Sequence, residues 1–275
     1  MSLFDAFAYA GKRAVVVGGA TGMGAAVAAV VKDAGGDVVV MDRAKVEASG
    51  VQEISVDLAD RDSIDAAVDQ CGGRVDALFS CAGVADGTPG IERINFIGHR
   101  HLINRMLSAG MLGRGSAIGF ISSAAGLGWE ANIDQIREFL DIEDWDDAVK
   151  WTQENGTAHY MFTKQAINTY VSREAFGLLK LGIRINAILP GPTDTPLAQA
   201  NAEMWLGFGA DYRGEAGIET STPLEQAYPL AFLCSAAASG ITGITMITDA
   251  GYVSSGVTES FPAATEIVNF LYGRM

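Results

Sequence analysis

The side chains best suited to chemistry in this chain of 275 residues are a tyrosine and a lysine four positions apart. Tyr160 and Lys164 lie in a stretch with helical apolar periodicity, so both should project from one face of a helix. A phenol with a pKa of about 10 is a poor base near neutrality, but a neighbouring ammonium favours its phenolate form. Most such pairs are plain exposed helix faces, so the chemistry depends on where this helix begins.

A glycine-rich turn near the start of the chain predicts a nucleotide site. Gly18, Gly22 and Gly24 follow a short β-branched run and open a stretch that predicts a helix to about residue 34. Glycines at such a turn let the backbone approach a pyrophosphate, which then rests on the helix N-terminus. One glycine cluster is weak evidence, but this one follows the first predicted strand, and the second strand ends in an acidic residue.

That acidic residue, Asp42, follows Gly24 by 18 residues, close to the spacing of about 20 typical of the carboxylate that binds the adenosine ribose. A carboxylate there accepts hydrogen bonds from the ribose hydroxyls and repels the 2′-phosphate of NADP(H). Arg43 could pair with that phosphate, but we expect the carboxylate beside it to dominate. The pattern therefore predicts NAD(H) as the cofactor.

Predicted strands and helices alternate along the whole chain, which is typical of a parallel sheet covered on both faces. The predicted strands span residues 13–18, 37–42, 53–57 and 75–83 and begin near 116, 184 and 244. The later predicted helices include 62–70, 91–109 and 158–179. We therefore predict an α/β fold, a single Rossmann-type doubly wound domain over residues 1–275 with a seven-stranded parallel sheet. The helix of Tyr160 would then begin beside the ligand crevice of the sheet.

Two long connections interrupt this alternation, an insertion at about 129–157 and a loop at about 199–222. Long connections in a compact domain are usually lids or binding loops. The large apolar residues of the insertion are Trp129, Phe139, Trp145 and Trp151, and those of the loop are Met204, Trp205 and Phe208. The pattern in the insertion is typical of one or two amphipathic helices. These side chains could wall a pocket for a bulky substrate, or those of the insertion could simply fasten it to the domain.

The order and spacing of these motifs resemble the short-chain dehydrogenase/reductase family along nearly the whole chain. The resemblance rests on the Gly-x-x-x-Gly-x-Gly spacing and the Tyr-x-x-x-Lys pair, and on further matches at Asp57, Asn95, Ser123, Pro190-Gly191, Thr193 and Thr195. Ser80-Cys81-Ala82-Gly83 resembles the Asn-Asn-Ala-Gly strand end of the family, with both asparagines replaced. Asp249-Ala250-Gly251 likewise departs from the Asp-Gly-Gly of the family.

The resemblance implies a catalytic set of Ser123, Tyr160, Lys164 and Asn95. Tyr160 would transfer the proton, and Ser123, with Ser122 as its rival, would hydrogen-bond the substrate oxygen. Lys164 would hold the nicotinamide ribose, and Asn95 would mark a helix distortion that holds a water linking Lys164 to solvent. The cofactor contacts implied by the turn, by the acidic residue and by the resemblance are Gly18, Thr21, Gly22, Met23, Gly24, Asp42, Arg43, Asp57, Leu58, Cys81, Ala82, Gly83, Tyr160, Lys164, Pro190, Gly191, Thr193 and Thr195.

The resemblance also implies an NAD(H)-dependent enzyme that interconverts a secondary alcohol and a ketone. The long stretch between Ser123 and Tyr160 resembles the insertion of bacterial 3α-hydroxysteroid dehydrogenase/carbonyl reductases, which favours a hydrophobic, cyclic, hydroxysteroid-like substrate. A 3-oxoacyl-thioester reductase is the alternative, although that role usually prefers NADPH and a basic surface for an acidic carrier protein. A catalytically silent NAD-binding module would commonly lack the tyrosine, lysine or serine.

Composition restricts the partners and the compartment. With 19 Lys+Arg against 33 Asp+Glu, the net charge of −14 argues against nucleic acid and anionic membranes as partners. Residues 227–248 carry no charge, but Pro229 and the glycines favour a buried helix and strand over a membrane span. The three cysteines lack metal-site spacing, so we expect reduced thiols in a cytoplasmic protein and no metal. The habit of the family implies a homodimer or homotetramer that acts on a small-molecule alcohol or ketone.

Overall fold

Seven short strands form the centre of the structure, a computed structural model that describes residues 2–274. Most are runs of Val, Ile, Ala and Leu that are buried on both faces, as parallel strands between helices require. The strands are β1 (Arg13–Val17), β2 (Asp37–Asp42), β3 (Gln52–Ser55), β4 (Ala77–Ser80), β5 (Ala117–Ile121), β6 (Arg184–Pro190) and β7 (Thr245–Thr248).

All seven strands are parallel and lie in the order β3-β2-β1-β4-β5-β6-β7. The chain builds outward from β1 to β3, then returns to place β4 on the other side of β1. In register, Val15 of β1 pairs with Val39 of β2 on one side and with Leu78 of β4 on the other. Because successive connections diverge at β1 and β4, a crevice opens at the carboxyl ends of these two strands.

Helices cover both faces of the sheet. The helices are α1 (Leu3–Phe7), α2 (Gly22–Asp33), α3 (Arg61–Cys71), α4 (Gly98–Ser108), α5 (Ile133–Leu140), α6 (Trp145–Glu154), α7 (Tyr160–Lys180), α8 (Pro196–Gln199), α9 (Ala202–Trp205), α10 (Ala210–Ala216), α11 (Pro223–Cys234), α12 (Tyr252–Val257) and α13 (Thr265–Leu271). One layer contains α3, α4 and α7, and the other contains α2 and α11. Along β1, Val15 packs into the first layer and Val16 into the second. The result is the predicted single doubly wound domain.

Several boundaries differ from the sequence prediction. The third strand ends at Ser55 and the fourth at Ser80, because the chain beyond each leaves the sheet to line the crevice. The predicted helix at 91–109 is not continuous, since residues Arg93–Ile97 form a π-helical turn before α4. The acidic run at 141–147 joins α5 to α6, where Asp144 caps α6 through the backbone N–H groups of two following residues.

The insertion at 129–157 forms a short 3₁₀ turn followed by α5 and α6. Phe139 is 1 % exposed and packs against Phe96, with ring centroids 5.4 Å apart. Trp151 stacks on Phe139 from the other side, and Trp145 packs edge-on against His101. These contacts favour the second of the two interpretations, in which the aromatics of the insertion fasten it to the domain. Of the helices within residues 2–274, none is both long enough and apolar enough to span a bilayer.

Candidate active site

The glycine-rich turn joins β1 to α2 and packs directly against the end of β4. Gly18 has a φ of +82°, and a methyl group on it would collide with the backbone of Ala82. A methyl group on Gly24 would collide with the carbonyl of Gly18. This close packing leaves the N-terminal turn of α2 on the wall of the crevice. Both positions therefore require glycine, and the space suits a pyrophosphate resting on a helix N-terminus.

The crevice is a cleft of about 240 Å³ between the ends of β1, β2 and β4. Thirteen of the predicted cofactor residues line it: Gly18, Thr21, Gly22, Met23, Gly24, Asp42, Arg43, Asp57, Leu58, Cys81, Ala82, Gly83 and Thr195. Sequence reasoning missed seven apolar wall residues, Val17, Met41, Val56, Val84, Ile94, Pro196 and Leu197. A mostly apolar wall with a few polar groups fits a flat adenine ring and its ribose.

Two carboxylates are held at this cleft by backbone N–H groups. Asp42 accepts from Ala20 through Oδ2 and from Ala44 through Oδ1, both at 2.9 Å. Asp57 lies two residues beyond β3 and accepts from Ala59 at 2.9 Å. The two side chains are therefore fixed rather than free to swing. Each carboxylate oxygen has lone pairs beyond these bonds that a ribose hydroxyl or an adenine amine could use.

The catalytic helix α7 begins at Tyr160, so Lys164 follows one turn later on the same face. The Nζ of Lys164 lies 5.4 Å from the centre of the Tyr160 ring and donates a hydrogen bond to the carbonyl of Ile121 at 3.1 Å. The lysine is 4 % exposed, and this burial lowers its pKa to about 8. The pair thus lies beside the end of β5, as the sequence predicted.

Burial raises the pKa of Tyr160 to about 12; the facing Ser123 hydroxyl lowers it, and the charge of Asp86 raises it further. The expectation from the sequence is a phenol that the ammonium of Lys164 biases toward phenolate. The residues of the chain alone hold the phenol neutral. A neutral phenol near pH 7 is suited to donating a proton to a carbonyl oxygen.

The two serines at the end of β5 point to different places. Ser122 is buried, and its hydroxyl lies 3.4 Å from the backbone carbonyl of Lys164. Ser123 is half-buried beside Tyr160, and its hydroxyl accepts from the backbone N–H of Ala125 at 3.1 Å, which leaves its proton available. The geometry therefore favours Ser123 over Ser122 as the group that meets a substrate oxygen.

Asn95 lies within the π-helical turn and links two parts of the site. Its side chain pairs with both backbone groups of Val84, accepting at 2.8 Å and donating at 3.0 Å, and also lies 3.3 Å from the Thr163 hydroxyl on α7. The helix distortion expected from the family resemblance is therefore present. Gly83 lies against both the Asn95 side chain and the Nζ of Lys164. The loop after β4 is tied in this way to the catalytic helix.

The predicted nicotinamide-side loop follows β6. Pro190 ends that strand, Gly191 packs against Asp249, and the Thr193 hydroxyl donates to the Gly191 carbonyl at 2.9 Å. Thr195 caps α8 and reaches the cleft wall. Among the described residues 2–274, five of the predicted cofactor residues do not line the cleft: Tyr160, Lys164, Pro190, Gly191 and Thr193. These five residues lie outside that cleft, and Lys164, Pro190 and Thr193 among them are buried.

Two polar residues at the site were missed by sequence reasoning. Asp86 accepts a hydrogen bond from the backbone N–H of Tyr160 at 2.6 Å, across 74 residues of sequence. His99 of α4 is 1 % exposed, and its Nε2 lies 3.0 Å from the Ala82 carbonyl. Burial lowers the pKa of His99 to about 4, so the ring is neutral and donates to that carbonyl. The replaced asparagines at Ser80 and Cys81 were a signal that another group must hold this strand end.

The second long connection reaches the site through one residue. Trp205 of α9 packs on Tyr160 with ring centroids 5.2 Å apart. Phe208 instead packs edge-on against Tyr252, and Met204 is 76 % exposed. Of the three apolar residues expected to wall the pocket from this loop, Trp205 alone contacts the tyrosine.

A doubly wound sheet with a glycine turn at its switch point and a Tyr–Lys pair beside the crevice defines the class of nicotinamide-dependent oxidoreductases. Two family models match consecutive parts of the chain: "short chain dehydrogenase" over residues 12–133 and "Enoyl-(Acyl carrier protein) reductase" over residues 147–253. The chain belongs to the short-chain dehydrogenase/reductase family. It is a dehydrogenase of the type that acts on CH–OH groups with a nicotinamide cofactor.

The relatives within the family are identical to this chain at about a quarter of the aligned positions. The coniferyl-alcohol dehydrogenase of a Pseudomonas species is 27 % identical over 90 % of this chain and 98 % of its own length. The 3-alpha-hydroxysteroid dehydrogenase/carbonyl reductase of Comamonas testosteroni is 28 % identical over 86 % of this chain and 95 % of its own. Among solved structures, the 3-alpha-hydroxysteroid dehydrogenase of Pseudomonas sp. B-0831 complexed with NADH has a TM-score of 0.71 at 26 % identity, covering 91 % of this chain and 99 % of its own.

Proposed function

We propose that the protein is an NAD(H)-dependent oxidoreductase that interconverts a secondary alcohol and a ketone on a hydrophobic, cyclic, hydroxysteroid-like skeleton. The observation that carries this proposal is the convergence of Tyr160, Ser123 and Lys164 beside the dinucleotide cleft. An aromatic ring, that of Trp205, covers the tyrosine. A polar proton-transfer set beneath an apolar cover suits a substrate with one reacting oxygen on an apolar body.

Each residue of the site has a separate task in this reaction. A bound nicotinamide would exchange a hydride with the carbinol carbon. Ser123 holds the substrate oxygen by a hydrogen bond, and Tyr160 gives a proton to that oxygen in reduction or removes it in oxidation. Lys164 would hold the ribose of the bound cofactor, and Asn95 keeps the loop after β4 against the catalytic helix.

The preference for NAD(H) over NADP(H) follows from Asp42. Its carboxylate is fixed at the cleft wall by Ala20 and Ala44, so it cannot move away from a 2′-phosphate. Arg43 is exposed and lines the same cleft. Among the described residues that line the cleft, it is the one cation that could attract a 2′-phosphate and so counteract the repulsion by Asp42. Dissociation constants for NADH and NADPH test the preference directly. Tighter binding of NADPH than of NADH would overturn the proposed preference. Asp42→Ala should bring the two dissociation constants closer together.

The hydrophobic cyclic substrate is supported by the Trp205 cover and by the relatives. The Comamonas relative is named for a hydroxysteroid and carbonyl compounds, and the Pseudomonas relative for an aromatic alcohol. Specificity constants for 3-oxosteroids, cyclic ketones, aryl ketones and short 3-oxoacyl thioesters test the proposal. A clear preference for the thioesters would replace it with the acyl-reductase alternative. The net charge of −14 speaks against that alternative, because an acidic carrier protein would be repelled.

The assembly and location that we propose are a homodimer or homotetramer in the cytoplasm. The habit of the family supports the assembly. The thiols of Cys71, Cys81 and Cys234 are unpaired in the described chain, which suits a reducing compartment. Sedimentation analysis at several protein concentrations would measure the oligomeric state.

A further inference from the structure

Asp86 brings a negative charge to the first residue of the catalytic helix. It lies on the loop after β4, is exposed to solvent, and accepts from the Tyr160 backbone N–H at 2.6 Å. The free N–H groups at a helix start attract anions. Here that attraction is already satisfied by a carboxylate of the protein.

The two charged groups beside Tyr160, Lys164 and Asp86, differ in their exposure to solvent. Lys164 is buried behind the ring and donates to the Ile121 carbonyl, so its cation is directed away from solvent. Ser123 and Trp205, on the other two elements beside the ring, are uncharged. Asp86 is exposed to solvent, and its negative charge raises the pKa of the Tyr160 phenol.

We infer that Asp86 is a specificity residue that selects uncharged or cationic alcohols and ketones over anionic ones. The inference rests on the proposed function and narrows its substrate class, since it assigns a sign to the charge that the substrate body can carry. Its basis is the hydrogen bond that fixes the carboxylate at the first residue of the catalytic helix, together with the exposure of that carboxylate to solvent. The net charge of −14 acts in the same direction over longer distances.

The test uses three cyclic alcohols that differ mainly in charge: 4-hydroxycyclohexanecarboxylate, its carboxamide, and 4-aminocyclohexanol as the ammonium ion. Specificity constants are measured with NAD⁺ for the intact protein and for Asp86→Asn, whose amide oxygen can still accept from Tyr160. A unit charge roughly 7–10 Å away across wet surface changes binding by about two- to sevenfold. We expect Asp86→Asn to raise the carboxylate-to-carboxamide ratio by that factor and to lower the ammonium-to-carboxamide ratio.

The ratio between substrates removes any general change in Tyr160, which would affect all three alcohols alike. Asp134→Asn is the matched control, because that carboxylate is 98 % exposed on the insertion and changes the net charge equally. The ratios should be unchanged in this control, and the Asp86→Asn effect should shrink at high salt. Asp86→Ala separates the hydrogen bond from the charge, since it should give the same ratios with lower thermal stability.

Equal ratios in the intact protein and Asp86→Asn would overturn the inference while leaving the proposed function intact. Turnover of none of the three alcohols or their ketones would count against the proposed function. In that case the dissociation constants of the three compounds for the NADH-saturated protein decide the inference. Weakest binding of the carboxylate, relieved in Asp86→Asn, would support it, and no difference would overturn it.

Discussion

The indole of Trp205 packs on the ring of Tyr160, with the two planes inclined by 45°. The tyrosine that we propose for proton transfer is thus covered by a short helix, α9, from the loop that follows β6. This contact contributes to the burial of the phenol, and burial is the largest cause of its raised pKa. In the proposed reaction, Trp205 would therefore affect both the shape of the substrate pocket and the acidity of the proton donor.

Trp205→Ala should lower the specificity constant for cyclic ketones by about ten- to a hundredfold, mainly through a higher KM. Loss of an aromatic pair and its buried area accounts for an effect of this size. The added water should also lower the apparent pKa of Tyr160. Trp205→Phe should keep most of the activity, and exposed Met204→Ala serves as the control on the same helix. A Trp205→Ala enzyme with unchanged KM for every cyclic ketone would exclude the indole from the pocket.

Tyr160→Phe should reduce turnover by about 10²–10⁴-fold, the usual worth of a positioned acid or base. The affinity for NADH should stay nearly unchanged, since the ring remains and only the hydroxyl is lost. Single-turnover rates and fluorescence titration measure the two quantities separately. Retention of more than a tenth of the turnover would exclude Tyr160 as the proton-transfer group.

The two serines at the end of β5 provide an internal comparison. Ser123→Ala should lower turnover strongly, because its hydroxyl faces the phenol and the expected substrate oxygen. Ser122→Ala should change turnover less than threefold, since that hydroxyl makes one long contact, to the Lys164 carbonyl. Equal losses in both variants would show that the effect comes from the strand end as a whole.

His99→Leu should weaken NADH binding several-fold and destabilise the protein by about 1–3 kcal/mol. It would leave the buried Ala82 carbonyl without its donor, and Ala82 forms both the cleft wall and the surface against which Gly18 packs. His99→Gln keeps an N–H donor and should recover part of both losses. His101→Gln is the matched control, because His101 pairs with Asp65 on the other side of α4. Equal NADH affinity in His99→Leu and the intact protein would exclude this role.

The local pattern of the sequence was enough for the strands, the glycine turn and the Tyr160–Lys164 pair, because each depends on residues near it in the chain. The π-helical turn was not predictable from periodicity. It depends on Asn95 pairing with Val84 and on Gly98 packing against the Leu58 carbonyl, which are contacts made only in the folded chain.

The aromatic residues of the insertion show a second limit. Periodicity predicted amphipathic helices, and α5 and α6 are present, but it does not say which surface an apolar face will cover. Phe139 faces Phe96 of the core rather than the pocket. Asp86 was missed for a similar reason, since its partner Tyr160 lies 74 residues away and no motif joins the two.

Lys164→Met should lose activity and cofactor affinity yet stabilise the protein near pH 7. The folded chain holds this lysine with a pKa of about 8 against an ordinary 10.5, so the unfolded chain binds its proton more tightly. Burial of the ammonium therefore lowers the free energy of unfolding of the intact protein by up to about 3 kcal/mol below pH 8. After allowance for the lost bond to Ile121, we expect a gain of about 1–2 kcal/mol from methionine.

The pH dependence of stability tests whether the buried ammonium of Lys164 is the cause of the stability gained in Lys164→Met. Between pH 8 and 10.5 the folded lysine is largely neutral while the unfolded one is still charged, so its destabilising effect fades as pH rises. The stability advantage of Lys164→Met should therefore be largest near pH 7 and should shrink by about 2 kcal/mol by pH 10. Other buried tyrosines and cysteines have raised pKa values in both proteins and cancel in the difference, except Cys81, whose pKa is lowered by the charge of Lys164 itself. Denaturant unfolding of both proteins at pH 7 and pH 10 measures it. If the difference in the free energy of unfolding did not change with pH, burial of the ammonium would not destabilise the folded protein. Packing alone would then account for the effect of the substitution.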